Sequence, residues 1–392
     1  MEAEVAQRRS SRGDVDECPY GLVPEAESEL FASLRRSGQR QKAEHYVKGL
    51  LETPGRKTLG HIAAHLGGPA AQQSLHHFIS ESLWEWAPLR HALARQARML
   101  LGHDAWVVRP MVIPKAGAHS IGVDLQFVPH LGRAVNGQQA VGVWLASERS
   151  AVPVEWQLVL PRRWREEPLR RRARIPAGVR ADCLEECVRE ATAQAARGAG
   201  PHNRPVIVDA QGADAVAIAR RLGADGHQFV IRTEPATRLS VDRSVLPAYG
   251  ARERGAGELV AHLGRMRTPA GPGPDRPTAS VIPVVAPASV HGGALRGLHL
   301  MGEGGAPDGG ADRLWLTNAT GVAASALLRL TRLSDLVARD AVDIGDRVGL
   351  RDFAGRSFSG WHRHITLASI AHFATVLATE PSPCATAACK AA

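Results

Sequence analysis

From Trp106 to Thr233 the chain alternates apolar, β-branched runs of strand length with helical segments, and this alternation narrows the fold more than any other feature. The runs AWVVRPMVIPK, SIGVDLQFV, QAVGVWLAS and VEWQLVLPRRW come first, with the turn-rich stretch 132–137 before the third. A helix is predicted over 179–197, then a short buried strand, PVIVDAQGAD, ending at Asp209. A helix over 213–222 and the strand QFVIRT complete the series. Elements in this order predict an α/β core, a sheet with helices packed on it.

The flanks divide the chain further. Residues 1–28 are polar and aperiodic and read as a flexible arm. Residues 29–100 read as a helical domain, beginning with FASLRRSGQRQKAEHYVKGLL and a Thr-Pro-Gly break at 53–55. The next helical stretches, KTLGHIAAHLG and AAQQSLHHFISESLWEW, are separated by Gly67-Gly68-Pro69, the pattern of a helix-turn-helix. The core is expected over 101–233 and again over 313–378, with closing helices near 322–344 and 361–378. Between the two parts, 234–312 holds Gly/Pro-rich loops around the strand-like ASVIPVVAPASV and LRGLHLMG, a β-rich insertion. Residues 379–392 read as a tail.

Composition excludes several classes. No apolar run approaches the ~20 residues of a membrane-spanning helix, so no membrane partner is expected. The first residues carry acids and no apolar stretch, unlike a secretory leader. Five cysteines, none in a CxxC pair, give neither a disulfide scaffold nor a zinc site, and a reduced, cytoplasmic protein is the expectation. Lysine and arginine outnumber acids 48 to 39, and only Lys42, Lys48, Lys57, Lys115 and Lys390 are lysines. Arginine-favouring codon usage explains that bias, and so does a surface that binds polyanions.

Six segments in order carry a resemblance: QQSLHHFIS at 72–80, PKAGAHSIGV at 114–123, NGQQAVGVWLAS at 136–147, LPRRW at 160–164, VDA at 208–210 and GRSFSGWHRHITLASIAHF at 355–373. From about Phe31 to Phe373 the chain resembles bacterial insertion-sequence DDE transposases of the insertion-sequence-701 type. The resemblance implies a ribonuclease-H-like mixed sheet with flanking helices. It implies three acidic side chains, two on neighbouring central strands and one on a later helix. In such proteins the acids hold two Mg²⁺ ions ~3.5–4 Å apart, which activate the attacking oxygen and stabilise the leaving one. DNA as partner, and a homodimer, are implied in the same way.

The chain departs from that pattern at the acids. Where the family reads Trp-Val-hydrophobic-Asp-Asp-Thr-Gly-Phe-Pro-Lys, this sequence has Trp106-Val107-Val108-Arg109-Pro110-Met111-Val112-Ile113-Pro114-Lys115. The second acid stands as Asp209, with Gln211 in place of a glycine. The third position falls on Ala338, with Asp335, Asp340 and Asp343 as substitutes within a small alignment slip, and a further family glutamate is Ala354. Arg109 would repel a dication by several kcal/mol at ~4 Å even with an effective dielectric near 20. The expectation is therefore that Mg²⁺ binding and two-metal cleavage are lost, and that Arg109 pairs with Asp209.

Candidate DNA contacts are Arg35, Arg36, Arg40 and Lys42, then Lys115, then Arg162 and Arg163 in the densest cation cluster, and Arg356, His362 and Arg363 around the last helix start. A solvated basic face accounts for each of these as well. His362 and His364, two apart, do not share a helix face, which argues against a metal site there. The first reading is a catalytically inactive transposase homologue acting by DNA binding, for instance in regulation. A second is an enzyme on a small-molecule ligand, its pocket lined by Arg109, Asp209, Gln211, His362 and His364. A third is residual DNA transposition.

Overall fold

The structure, a computed structural model, describes residues 24–128, 131–179, 181–199, 204–250, 252–263, 268–269, 278–289, 292–304 and 311–379. The arm up to residue 23, the tail from 380 and most of the two Gly/Pro-rich loops lie outside the described residues.

The core strands are β1 (Ala105–Pro114), β2 (Asp124–Val128), β3 (Arg133–Ala146), β4 (Ala151–Leu158), β5 (Val206–Val208) and β6 (Phe229–Thr233). β3 runs antiparallel to β1 along one edge and to β2 and β4 along the other. β5 is parallel to β1, and β6 is parallel to β5. The order β4-β3-β1-β5-β6, three antiparallel strands followed by two parallel ones, is ribonuclease-H-like. Val107, Val108, Ile207, Val208 and Val230 are all fully buried. That explains why these strands read as unbroken apolar runs and not as alternating ones.

The later strands are β7 (Arg238–Val241), β8 (Arg254–Gly255), β9 (Thr268–Pro269), β10 (Thr278–Ala286), β11 (Leu295–Glu303) and β12 (Arg313–Thr317). β12 pairs antiparallel with β6, and β11, β10, β7 and β8 follow outward from it. β12 covers the β6 edge, which would otherwise expose unpaired backbone groups, and the strands of the 234–312 segment continue the core sheet outward from β12.

The helices are α1 (Pro24–Phe31), α2 (Ser37–Glu52), α3 (Leu59–Leu66), α4 (Pro69–His76), a π-helical turn at His77–Glu81, α5 (Ala87–Leu101), α6 (Arg162–Arg165), α7 (Leu169–Arg172), α8 (Leu184–Ala199), α9 (Ala215–Ala224), α10 (Ala256–Leu263), α11 (Ala324–Asp343) and α12 (Phe358–Thr379). Residues 24–28, expected in the arm, belong to α1, because Ala26, Leu30 and Phe31 are buried and the helix packs on α5. The α3–α4 link turns through Gly67 (φ 151°) and Gly68 (φ 77°), values that side chains disfavour. Among the described residues no helix is long and apolar enough to cross a membrane.

α12 organises the centre. It is buried without a break from Gly360 to Ala374 and packs on β4, α2, α5 and the π-helical turn. Its polar residues have partners inside the protein: Ser369 Oγ accepts from Trp156 Nε1 at 2.9 Å, and His372 Nε2 donates to the Ala151 carbonyl at 3.0 Å. The last helix start is thus core, where a solvated or DNA-facing stretch was expected.

Candidate functional site at the junction of β1, β5 and α11

Parallel pairing of Val108 with Val208 fixes this junction, and the Asp209 amide donates to the Val108 carbonyl at 3.0 Å. That places Asp209, just past β5, beside Arg109 on β1. α11 lies against both strands and brings Ser334 to the same point. Arg109 Nη1 pairs with Asp209 Oδ2 and also donates to Ser334 Oγ at 2.7 Å and to the Ser334 carbonyl at 3.2 Å. Ser334 Oγ donates in turn to Asp209 Oδ2 at 2.6 Å. The Asp209 side chain is 8% exposed and that of Arg109 28%. A buried carboxylate held by a guanidinium and a hydroxyl is a closed, neutral unit.

Two Mg²⁺ ions need several oxygen donors of net negative charge. This junction offers one carboxylate, and a cation already occupies it. Ala338, one helical turn past Ser334, has no donor atom. Asp335 is exposed and bound twice by Arg313, at 2.7 and 2.9 Å. Asp340 is buried beside Arg339 and the Ala151 backbone, and burial holds its pKa above the usual carboxylate range. Asp343 is exposed. Among the described residues no group of three or more His, Cys, Asp or Glu is placed to hold a metal ion. The residues present do not fit the metal pair.

The pocket expected from Arg109, Asp209, Gln211, His362 and His364 does not assemble. Gln211 is exposed in the loop after Asp209. His362 is buried, stacked on Trp86 with centroids 4.7 Å apart, and its Nδ1 accepts from Arg90 at 3.1 Å. Burial, then the Arg90 charge, holds its pKa well below the usual histidine value. His364 accepts from the Tyr46 hydroxyl at Nδ1 and donates to the Gly349 carbonyl from Nε2, both at 2.8 Å. Burial pushes its pKa down to about 4. Neither ring shares a bonding partner with the Arg109–Asp209 unit.

The candidate DNA contacts divide by exposure. Arg35, Arg36 and Arg356 are exposed. Lys42 is half-buried, and Arg40 donates to the Leu34 carbonyl at 2.7 Å, tying the α1–α2 link. Arg162 pairs with Glu166 at 2.9 Å, and Arg163 donates to the Ala118 carbonyl at the same distance. Lys115 turns inward and donates to the carbonyls of Arg351 (3.1 Å) and Phe353 (2.7 Å). Its pKa is lowered to about 8, first by burial and then by Arg56. Arg363 is buried over the Trp84 ring and donates to the carbonyls of Trp84 (3.0 Å) and Ile79 (3.1 Å). Lys115, His362 and Arg363 are therefore structural, because each satisfies groups that the fold has buried.

Three participants escaped the sequence reading. Ser334 has no chemistry that marks it in a helix. Arg90 and Glu155 form a buried ion pair, 1% and 7% exposed, and Arg90 also donates to Thr366 Oγ and the Trp156 carbonyl, each at 2.8 Å. A signal for Arg90 existed in the sequence, since it shares a helix face with Leu93, Ala94 and Ala97.

The strand order defines a ribonuclease-H-like fold. The sequence model of the DDE superfamily endonuclease family matches residues 29–278, and the chain belongs to that family. Comparison with curated proteins gave no match.

Proposed function

We propose that this protein is a transposase-like DNA-binding protein, of the insertion-sequence-701 type, that does not cut or join DNA by the two-metal route. The observation that carries the reading is the Arg109–Asp209–Ser334 unit. The one acid left at the site is neutralised by a cation standing where a metal ligand belongs. With that chemistry gone, binding is the activity the remaining fold supports. The exposed Arg35 and Arg36, ahead of the α3–α4 helix pair, are the contacts favoured for DNA phosphates. Control of transcription near its own gene is the role that fits such a protein.

The test is selection of bound fragments from sheared genomic DNA at physiological salt without divalent metal. Enrichment of one or a few shared sites supports the reading, and recovery without preference, or of nothing, counts against it. Mg²⁺- or Mn²⁺-dependent nicking that disappears in Asp209→Ala would overturn the loss of catalysis.

A further inference from the structure

A cavity of about 540 Å³ lies away from the Arg109–Asp209 unit, between α3, the end of α7 and the segment leading into α12. Arg172, Arg174 and Arg356 line it, from chain segments about 180 residues apart. The Phe358 amide, at the start of α12, donates to the Ala173 carbonyl at 2.9 Å and stitches the two segments together. Ala173 and Phe358 are both buried, while Arg172, Arg174 and Arg356 are exposed. The anchor thus turns inward, and the three exposed arginines beside it line one cavity.

These arginines are uncommitted. None of the three guanidinium groups has a hydrogen-bond or ion-pair partner among the described residues. The acids at the cavity are engaged elsewhere. Asp352 accepts from the Lys57 amide at 2.6 Å and faces Arg56 at 3.5 Å, and Glu81 is bonded to His77 at 2.9 Å. The His77 bond is the main cause holding the Glu81 carboxyl low, and Arg174 is the weakest of the charges that add to it. Lys57, also in the wall, turns its ammonium to the Thr53 carbonyl. Arg174 is held at φ 56°, a backbone region costly for any side chain but glycine, and such strain gathers at functional positions. The positive end of the 22-residue α12 adds to the field at Arg356.

We propose that this cavity binds a phosphate group of its ligand, clamped by Arg172, Arg174 and Arg356. Guanidinium forks match phosphate oxygens two at a time, and a concave wall of cations without ion-pair partners concentrates anions. Two sources carry that chemistry: the backbone of a nucleic-acid strand, and a free phosphorylated small molecule. The proposal stands apart from the DNA-binding reading, since the second source satisfies it equally.

The experiment titrates the full chain with inorganic pyrophosphate and, separately, with a duplex of about 20 base pairs. It compares wild type with Arg172→Gln/Arg174→Gly/Arg356→Gln. Glycine suits the Arg174 backbone and the other two side chains are exposed, and circular dichroism checks the fold. The single Arg174→Gly variant serves if the triple one does not fold. Arg35→Ala/Arg36→Ala is the control. Loss of pyrophosphate affinity by at least about tenfold in the triple variant, with the control unchanged, supports the clamp. If the duplex is weakened too and pyrophosphate displaces it, the source is nucleic acid. If duplex binding is intact, the source is a small molecule. Pyrophosphate binding that survives the triple substitution overturns the proposal. So does absence of pyrophosphate binding together with unchanged duplex affinity. A wild type that binds no DNA at all removes the earlier reading alone, and the pyrophosphate titration still decides this one.

Discussion

Ser334 donates a hydrogen bond of 2.6 Å to Asp209 Oδ2, the same oxygen that takes the Arg109 guanidinium. One carboxylate oxygen therefore joins β1, the end of β5 and α11. In a metal-dependent nuclease those three elements are bridged through ions. Here they are bridged by side chains, so the junction is a structural tie.

The first prediction follows from that tie. Arg109→Ala leaves the buried Asp209 with the Ser334 hydroxyl as its one side-chain hydrogen-bond partner among the described residues and is expected to destabilise the protein by about 2–4 kcal/mol. Ser334→Ala leaves the ion pair and is expected to cost about 1 kcal/mol. Urea denaturation measures both. An Arg109→Ala protein as stable as wild type would show that the pair contributes nothing to the fold.

The same geometry predicts that a metal site can be rebuilt. Arg109→Asp with Ser334→Glu places three carboxylates around one point in place of one carboxylate and a cation. Calorimetric titration with Mn²⁺ is expected to show binding in the double variant that is absent from wild type and abolished again by Asp209→Ala. Equal titration curves for wild type and double variant would mean that position 334 is not where the third ligand must stand.

Much of this was legible in the sequence. The strands read as continuous apolar runs because both sheet faces are covered, and the pairing of Arg109 with Asp209 was expected from the sequence. Other features were not, and each for a physical reason. A side chain's charge does not say which way it points. Lys115, Arg363 and His362 belong to basic stretches, yet each turns inward to meet carbonyls or rings brought from 238 to 284 residues away in the chain. The α11 register depended on helix packing against β1, which set Ser334, and not the aligned Ala338, against Asp209.

Orientation also separates the effects of substituting arginines. Arg35→Ala/Arg36→Ala is expected to weaken duplex binding and to lower the slope of log affinity against log salt by up to about 2, one for each phosphate no longer neutralised. Arg363→Ala removes two bonds to buried carbonyls and the packing over Trp84, so its effect falls on stability. Salt-dependent anisotropy and thermal melting separate the two variants. A change in salt slope without a change in melting for Arg363→Ala would contradict its buried position.

The buried histidines set the acid limit of stability. His364 and His372 are pushed down to about 4, mainly by burial, and His362 is also held low. In the unfolded chain these rings protonate near the ordinary value of about 6.5. Below that pH the unfolded state binds protons that the native state refuses, so the contribution is whole above about 6.5 and drains away as pH falls towards 4. Each ring adds about 1.4 kcal/mol per pH unit to the slope in that window. His372→Gln keeps a donor for the Ala151 carbonyl and removes the titrating group, so it is expected to flatten the slope by one proton while leaving stability at pH 8 nearly unchanged. Denaturation midpoints between pH 8 and 4.5 give the comparison. Parallel curves for wild type and variant would mean that His372 takes up its proton in the native state, which burial against Trp144 opposes.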